Sequence, residues 1–507
     1  MKSSFLALFS LVPLLASAIL PSNAVPLLPS QESALISLKT AWRSCPVTKT
    51  WVAGADCSKW SGISCDDRGA VFQLYIYGEN SCTGALTESV GNLTELTSIT
   101  ISDNWRIYGS LPKSLSNLQK LESLEIRTDF NGGRNSGLSG ALPNSIGNFA
   151  RSLTSLMLLG TRLTGSIPRG LSRLSRLVYL NLDGNRLTGE IPRELSGLRN
   201  LVSLEMGGNR LTGSIPPTLA EIKRLTTLNL GNNRLSGALP TKEILDIKSL
   251  EDLDLRNNRF TASSIAALAT HPSLTDIDLS WNIISGSVPE QFGQMKKLAG
   301  LKLAGNRLSG KVPVALLRNM PNLHYLDLSF NRLRGEFPWA YMKTAQAIEH
   351  LSLQRNAFVG EIPADAFRKS GVANFNISFN LFSGSMPNLG FMGGEEEPRV
   401  DIRGNYFWGS PEFVMDNRKV CPQEGQKYPD SDDEYFAALN CLGKSGNCNM
   451  KQQRSGAACR RFCGTSRTNG PCSGHGVCVP AGGSRFKCRC ANGYKAAEGK
   501  PHQCVKA

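Results

Sequence analysis

The chain has 507 residues, of which 41% are hydrophobic and 19% are charged, and its formal net charge is +15. Because a single hydrophobic core stops growing well below this length, the sequence favours several domains or an extended array. Beyond the first residues, no apolar run reaches the roughly 20 residues of a membrane span, so we expect no transmembrane segment.

Nothing in the sequence points to catalysis or to a cofactor. The five histidines are scattered, and no nucleophile–base motif accompanies them. Zinc sites that combine cysteine and histidine usually contain Cys-x-x-Cys pairs, and the sequence has none. His475 and His502 are therefore not predicted to bind zinc. We therefore expect no enzymatic activity, no metal and no cofactor.

The chain begins with the features of a secretory signal peptide. Residues 1–24, MKSSFLALFSLVPLLASAILPSNA, combine Lys2, an apolar run and small residues before a break. The apolar run extends to Leu20, which favours cleavage after Ala24 over cleavage after Ala18. We expect a secreted protein, extracellular or in the cell wall, with no nucleic-acid partner.

The cysteines agree with export. An even number, 14, in an exported chain predicts disulfide bonds. Four lie between residues 45 and 82, ten lie between 421 and 504, and none lies between these groups. Cross-links are therefore expected at the two ends of the chain. The sequons Asn92 and Asn376 are predicted glycosylation sites.

Residues 25–70 are predicted to form an N-terminal cap. The segment SQESALISLKTAW places Leu35, Leu38 and Trp42 on one face of a helix, with Ser30 as its N-cap.

Residues 71–415 repeat one template about fourteen times. The template is L-x-x-L-x-L-x-x-N-x-L-x-G-x-I-P, and successive units start at Leu177 and Leu201, 24 residues apart. This period and leucine pattern predict a leucine-rich-repeat solenoid. The alternation around each L-x-L predicts a short strand with one buried face. The expected fold is a disulfide-capped, right-handed superhelix with parallel strands on its concave face and short helical or 3-10 segments opposite.

The template asparagine is expected to turn inward and bond the backbone of the turn, where buried polar groups need partners. It is present as Asn185, Asn209, Asn233, Asn258, Asn306, Asn331, Asn356 and Asn380. Thr161 replaces it in one unit. The unit from Leu250 reads FTASSIAALAT and is predicted to be more helical. The glycine-rich insertion 129–137 is predicted to be an edge loop, either a tolerated surface insertion or a ligand contact.

The segments L-T-G-x-I-P carry a resemblance to a known family. They resemble the repeats of plant receptor-like proteins, receptor-kinase ectodomains and polygalacturonase inhibitors. The resemblance covers roughly residues 30–415 and implies a second short strand in each unit and a recognition scaffold. CSKWSGISC, residues 57–65, is similar to the plant-type cap, which implies a Cys57–Cys65 bridge and, to complete the set, Cys45–Cys82.

The C-terminal part differs from the repeats. Residues 416–442 are predicted to be a C-terminal cap closed by Cys421 and Cys441. Residues 443–507 hold twelve Lys and Arg against one acid, a net +11, and form a separate predicted module.

The cysteines of this basic module resemble an epidermal-growth-factor-like domain, through SGHGVC, the Cys-x-Cys pair and CANGY. The resemblance implies a module held by its bridges. The implied pairs are Cys463–Cys478, Cys472–Cys488 and Cys490–Cys504, with Cys448 left to pair with Cys459. The acidic residues that calcium-binding versions place before the first cysteine are absent from SGAACRRFC, so we expect no calcium.

Two neighbouring units place acids at open strand positions, in LEDLDLRNN and LTDIDLSWN. Strands stack about 4.8 Å apart, so these carboxylates are expected to crowd together. They form either a solvated polar face or a patch that binds a basic group, beside exposed aromatic residues suited to recognition. The candidate ligand-binding residues are Asp252, Asp254, Asp276, Asp278, Trp281, Tyr325, Asp327 and Phe330.

A second column of charges follows the template asparagine. It is either a solubilising stripe or a contact for a polyanion such as an acidic polysaccharide. Its members are Arg186, Arg210, Arg234, Arg259, Arg307 and Arg332, with Arg162 preceding them.

The sequence as a whole predicts a secreted, non-enzymatic recognition protein. Its expected partner is an extracellular protein, a peptide or glycan ligand, or a membrane receptor, in receptor-like signalling. Two alternatives stay open: an inhibitor of a secreted cell-wall-degrading hydrolase, and a structural matrix protein held by its basic tail.

Overall fold

A computed structural model describes residues 25–42, 45–77, 82–102, 107–127, 137–149, 152–342, 345, 347–363, 365–367, 371–385 and 399–408, and four strands between 476 and 506. Four sequence-based predictions lie outside these residues. They concern the signal peptide, residues 129–136 of the insertion, the cap 416–442 and the cysteine pairing of the basic module.

One continuous 15-stranded sheet runs through the repeats. Its first strand joins antiparallel and the others pair in parallel, each with the strands of the adjacent units. Leucines such as Leu180 and Leu182 point inward and are fully buried, because a three-residue strand can hide them only against its neighbours. The strands are Ile63–Cys65, Val71–Tyr77, Ser98–Ser102, Ser123–Arg127, Ser155–Leu159, Tyr179–Asn181, Ser203–Glu205, Thr227–Asn229, Asp252–Asp254, Asp276–Asp278, Gly300–Lys302, Tyr325–Asp327, His350–Ser352, Asn374–Asn376 and Arg399–Asp401.

A second set of parallel strands follows the turn in most units, as the resemblance implies. The glycine of the template lies within or directly after this second strand; Gly213, for example, follows Arg210–Thr212 and has φ +78°, a conformation that glycine adopts readily. Three pairs are Gly84–Ala85 with Ile107–Tyr108, Ser139–Ala141 with Arg162–Thr164, and Thr188–Glu190 with Arg210–Thr212. The remaining eight are Ser236–Ala238, Arg259–Ala262, Ile283–Gly286, Arg307–Gly310, Arg332–Glu336, Ala357–Glu361, Leu381–Ser385 and Tyr406–Trp408.

Short helical turns complete the units. The prediction of extra helix in the unit from Leu250 is wrong in its first half, since Arg259–Ala262 is a strand of the second set. The α-helices are Pro29–Ala41, Thr241–Asp246 and Ala315–Arg318. The 3-10 helices are Val47–Thr50, Cys57–Lys59, Glu88–Asn92, Lys113–Asn117, Asn144–Asn148, Arg169–Arg173, Arg193–Gly197, Pro217–Glu221, Ala266–Thr270, Glu290–Gln294 and Trp339–Tyr341.

The N-terminal cap covers the first repeat. Its helix begins at Pro29, with Leu28 as N-cap, so the expectation for Ser30 is wrong; proline suits the first helical turn because that turn leaves N–H groups unbonded. The helix buries Leu35 and Leu38. Disulfide bonds join Cys45 to Cys82 and Cys57 to Cys65, the pairing that the resemblance implies.

The inward-turned asparagines link adjacent units. Asn258 donates from Nδ2 to the carbonyl oxygens of Leu230 and Leu255, 3.0 and 3.1 Å away. Its Oδ1 accepts from the amide of Leu235 at 3.0 Å. Each such side chain therefore satisfies backbone groups of its own turn and of the preceding unit. Thr161 is accommodated by donating to Oδ1 of Asn185, 2.6 Å away.

The basic module contributes four strands to the described residues. Gly476–Pro480 pairs antiparallel with Phe486–Cys490, and Tyr494–Ala497 pairs antiparallel with Lys500–Lys506.

Candidate functional site

The parallel register places the predicted acids directly opposite one another. Asp252 pairs with Asp276, and Asp254 pairs with Asp278. Asp252 is exposed and Asp276 is half-buried, whereas Asp278 is only 7% exposed. The expectation of an open position is therefore wrong for Asp278. We call these four residues the acidic patch.

Two basic side chains partly neutralise the negative charge of the acidic patch. Nε of Arg256 lies 3.4 Å from Oδ2 of Asp254, and its Nη1 lies 3.7 Å from Oδ2 of Asp278. Lys302 stands in register between Asp278 and Asp327. Within the described residues, neither Asp252 nor Asp276 forms an ion pair, so these two residues are the part of the patch best placed to meet a partner.

The aspartates at the third residue of each strand also have a structural role. Asp254, Asp278 and Asp327 each accept the backbone N–H two residues later, at 2.9–3.0 Å. In other units an asparagine does the same, as Asn229 does for Gly231. An Asp→Asn change at these positions can therefore remove charge and keep the turn.

Burial, and then crowding, raise the pKa values of Asp252 and Asp254 in the acidic patch. Loss of water around Asp252, and then the charge of Asp276, raise the pKa of Asp252 to about 6. Burial, followed by the neighbouring Asp278, also raises the pKa of Asp254. Because two carboxylates in register resist ionisation, a cationic group placed between them would relieve their repulsion.

Two further acids that the sequence did not single out extend the patch toward the N terminus. Asp183 accepts hydrogen bonds from the Gly207 amide and from Nδ2 of Asn229. Burial, then the charge of Glu205, raise the pKa of Asp183 to about 7. Glu205 accepts from Oγ of Ser203 at 2.8 Å, and burial raises its pKa. Acids at the open positions of LNLDGN and LEMGGN are the signal that could have revealed them.

On the other side of the patch, aromatic and basic side chains cover the strand face. Lys302 lies over the ring of Tyr325, 5.1 Å from its centre. Tyr325 also stacks on His350, with ring centres 4.9 Å apart. Burial raises the pKa of Tyr325 to about 12, so it remains a neutral phenol. The open face thus changes from acidic to aromatic and cationic within three units.

Trp281 and Phe330 do not lie on strands. They follow the strands, in the turn just before the template asparagine, and both have a positive φ, 57° and 53°. Trp281 is 51% exposed and Phe330 is 36% exposed. They stand beside the acidic patch rather than within it.

All six predicted members of the arginine column are exposed. Strands of the second set begin at Arg210, Arg259, Arg307 and Arg332, whereas Arg186 and Arg234 lie two residues before such strands. Ile283 occupies the equivalent position between Arg259 and Arg307, so the column is interrupted. Its role as a polyanion contact stays a prediction.

Asn92 is exposed and Asn376 is half-buried on the strand face. Within the described ranges, no group of three or more His, Cys, Asp or Glu is arranged to hold a metal ion. In the same part of the chain, no helix is both long and apolar enough to cross a membrane.

Comparisons with known proteins agree with this architecture. Leucine-rich-repeat family profiles match residues 151–211, 224–242, 248–308 and 272–333. An EGF-like domain profile matches residues 466–496.

Among curated proteins, polygalacturonase inhibitor 1 of Oryza sativa is 34% identical over 123 residues, which cover 24% of this chain and 37% of that protein. Phytosulfokine receptor 1 of Arabidopsis thaliana is 33% identical over 106 residues, which cover 20% of this chain and 10% of the receptor. The match thus spans well under half of each relative.

Two solved structures share the fold. The PEPR1–AtPEP1 structure aligns with a TM-score of 0.60 and 29% identity, over 75% of this chain and 59% of that one. A TDR receptor aligns with a TM-score of 0.53 and 27% identity, over 64% and 62%. The fold and its repeats define a leucine-rich-repeat solenoid. More particularly, the chain is similar to plant extracellular leucine-rich-repeat proteins, and part of its basic module matches an EGF-like domain.

Proposed function

We propose that the protein is secreted and non-enzymatic, and that the acidic patch on its concave face binds a basic segment of an extracellular protein or peptide. The observation that carries the proposal is the direct register of Asp252 with Asp276 beside that of Asp254 with Asp278. A cation placed between such carboxylates gains attraction and removes repulsion. The PEPR1–AtPEP1 structure, which shares the fold, supports a peptide or protein partner.

The raised pKa values set the expected pH dependence of binding. A carboxyl group whose pKa is about 6 is largely protonated at pH 5 and charged at pH 7.5. Raising the pH across this window adds negative charge to the patch. Affinity for a cationic partner should therefore rise from pH 5 to pH 7.5 and fall with added salt, which screens the exposed charges.

The test removes charge without changing shape. Immobilised full-length protein, with and without Asp252→Asn plus Asp276→Asn, is used to capture proteins and peptides from plant extracellular fluid. The partner captured by the parent should bind the double variant with a loss of about 2–5 kcal/mol. Its affinity is then measured by calorimetry at the two pH values.

A matched variant controls for net charge. Glu221 and Glu290 are exposed and belong to the 3-10 helices away from the strand face, so Glu221→Gln with Glu290→Gln removes the same two charges elsewhere. It should leave affinity unchanged. If the two double variants bind alike, or if binding does not change between pH 5 and 7.5, the acidic patch is not the site.

Inhibition of a secreted wall-degrading hydrolase is the second candidate. It is favoured by the 34% identity with the rice polygalacturonase inhibitor. Added protein should then lower the rate of a purified polygalacturonase at a stoichiometric ratio, and the acidic-patch variant should lower it less. A panel of such enzymes with unchanged rates would eliminate this candidate.

A further inference from the structure

One buried histidine lies in the middle of the solenoid, at a position that is apolar in the flanking units. His271 is 5% exposed and directly follows the 3-10 helix Ala266–Thr270. The same position is occupied by Ile247 in the preceding unit and by Met295 in the following one, and both are buried. Histidine is the side chain whose ordinary pKa places its change of charge between pH 5 and 8. A titratable ring has thus taken a core position.

Proline gives this turn a backbone unlike that of its neighbours. In the flanking units, ψ is 77° at Ile247 and 80° at Met295, and each carbonyl oxygen accepts the N–H three residues later. His271 precedes Pro272 and has ψ 131°. Contact with the proline ring pushes the preceding residue into this extended region. The carbonyl group of His271 therefore does not have the orientation that it has in the flanking units.

The imidazole ring supplies the acceptor that the carbonyl supplies elsewhere. Nδ1 of His271 accepts the backbone N–H groups of Ser273 and Leu274, each 3.2 Å away. Nε2 lies 3.0 Å from the carbonyl oxygen of Ile247 in the preceding unit. Because a carbonyl oxygen can only accept, Nε2 carries the proton, and because Nδ1 accepts, it carries none. We call His271 with these three partners the histidine turn.

The histidine turn fits only the neutral ring. Protonation of Nδ1 would place an N–H against two other N–H donors and would remove their acceptor. Burial lowers the pKa of His271 below 6.5, the hydrogen bond to Ile247 raises it in part, and the charge of Lys248 lowers it further. Acid therefore favours a state in which the ring leaves this site and reaches water.

The surroundings of His271 do not favour a charged ring. The 3-10 helix before it packs between the helices Thr241–Asp246 and Glu290–Gln294. The charged residues of these helices and of the turns after them are Lys242, Glu243, Asp246, Lys248, Glu290, Lys296 and Lys297. Among them, Lys248 is the one whose charge acts on the pKa of His271, and Lys242 pairs with Asp246 at 3.1 Å. Within the described residues, no carboxylate therefore stabilises an imidazolium at this position.

The histidine turn leads directly into one strand of the acidic patch. After Leu274, the next two backbone amides donate to the carbonyl oxygen of Glu251, 2.8 and 3.1 Å away. The strand Asp276–Asp278 then pairs in parallel with Asp252–Asp254. Loss of the hydrogen bonds at His271 would therefore loosen the chain at the point where this strand begins.

We propose that the histidine turn is a pH-sensitive switch, which holds the strand Asp276–Asp278 against Asp252–Asp254 at neutral pH and releases it locally on acidification. His271 acts as a positioning residue outside the acidic patch. Release begins as the pH falls below 6.5, the pKa of a ring in water, and is complete below the lower pKa of the folded state. The proposal concerns the chain itself and stands whether or not the patch binds a partner.

Hydrogen exchange of the full-length protein, followed by mass spectrometry, measures this local opening. Exchange is compared at pH 7.5 and pH 5.0 after correction for the intrinsic pH dependence of amide exchange. Peptides that cover residues 273–278 should lose protection several-fold, up to about thirtyfold, because each pH unit below 6.5 favours the protonated, opened state by about tenfold. Peptides that cover residues 224–229, two units earlier, should not lose protection.

A matched variant separates His271 from the acids nearby. His271→Ile with Pro272→Lys reproduces the segment IKSL of residues 247–250, so it removes the titratable ring and restores the carbonyl acceptor of the flanking units. Asp252 and Asp254, whose raised pKa values act in the opposite sense, are present in both proteins. Residues 273–278 of the variant should keep their protection at pH 5.0.

A second variant retains the proline. In His271→Asn, the side-chain oxygen can accept from Ser273 and Leu274 in place of Nδ1, and the amide does not titrate. Protection should be lower than in the parent at pH 7.5, because the bond to Ile247 is lost, but it should not fall further at pH 5.0. This variant tests the switch independently of any change at Pro272.

Two results would overturn the proposal. The first is a change of less than about twofold in the protection of residues 273–278 of the parent between pH 7.5 and pH 5.0. The second is an equal loss of protection in the parent and in either folded variant. The pH dependence would then arise from the acids of the strand face, and His271 would be a structural core residue only.

Discussion

Asp254 and Asn229 have the same hydrogen-bonding role in neighbouring units, although only one of them is charged. Each accepts the backbone N–H two residues further on, at 3.0 and 3.1 Å. The sequence could predict the acidic side chains at open positions, because alternation along a strand decides which residues face outward. It could not predict that Asp278 is buried, since that depends on Arg256 and on the packing of adjacent strands.

The inward-turned asparagine should be a major source of stability. Asn258→Ala would leave the carbonyl oxygens of Leu230 and Leu255 and the amide of Leu235 without this partner. An unsatisfied buried group costs about 1–3 kcal/mol, so the free energy of unfolding should fall by at least that amount in urea denaturation.

Asn200→Ala is the matched control, because Asn200 is exposed and, among the described residues, bonds only the carbonyl oxygen of Ser175 and the side chain of Arg224. Its effect should stay within about 0.5 kcal/mol. Similar losses from the two substitutions would mean that the buried amide does not link the units.

Asp183 should make stability decrease as pH rises. Its pKa is raised from 3.8 to about 7 in the folded protein, so the folded state holds its proton over a range where the unfolded state has lost it. Its contribution is fully present below about pH 4 and is lost by about pH 7. Asp183→Asn should therefore raise the urea midpoint relative to the parent at pH 8, and raise it less at pH 4.5.

Asp246→Asn serves as the control of opposite sign. Lys242, 3.1 Å away, lowers the pKa of Asp246, so the ionised form is favoured in the fold. Its replacement should give no gain at pH 8. If Asp183→Asn shifts the midpoint equally at both pH values, the carboxyl group at Asp183 is not the cause.

At the scale of elements, the template predicted the concave strands, and the L-T-G-x-I-P resemblance implied the second strands. Local propensity was a poorer guide where repeats impose a common backbone. FTASSIAALAT has helix-forming residues, yet Arg259–Ala262 pairs in parallel with the strands before and after it. The neighbouring units supply partners for that strand, and single-sequence preference does not include them.

The cap should depend more on one disulfide than on the other. Cys45–Cys82 closes a segment with a sequence separation of 37, and Cys57–Cys65 closes one of 8. In the chain-entropy model, a disulfide that closes a longer loop restricts the unfolded chain more and so stabilises the fold more. Cys45→Ala with Cys82→Ala should therefore lower the free energy of unfolding by about 2–4 kcal/mol. Cys57→Ala with Cys65→Ala should cost less.

Calorimetry and hydrogen exchange of the cap helix Pro29–Ala41 would measure both losses. The buried stack of Trp42, Trp51 and Trp60, with ring centres about 6 Å apart, should keep the cap folded in the milder variant. A larger loss from the Cys57 and Cys65 pair would show that strain or local packing, and not loop length, decides the stability of the cap.

At the scale of the whole molecule, the charge is unevenly distributed along the chain. Residues 443–507 carry a net +11 of the chain's +15, and most of them lie outside the described residues. We expect full-length protein to elute from an immobilised acidic polysaccharide at higher salt than residues 1–442, because many Lys and Arg contacts are screened by salt.

The arginine column provides the comparison for that prediction. Arg210→Gln with Arg307→Gln in the full-length chain removes two exposed charges from the second set of strands. It should change the elution much less than removal of residues 443–507. If the two chain lengths elute at the same salt concentration, the terminal module does not contact the polyanion, and the arginine column becomes the candidate surface.

The links formed by Asn258 and its equivalents join each unit only to its neighbours. In mechanical terms, the solenoid is a row of springs in series, whose small deformations add. A rotation of about one degree at each interface would turn one end by more than ten degrees relative to the other. A ligand that spans several units could therefore act as a lever, bending the whole scaffold without unfolding any part of it.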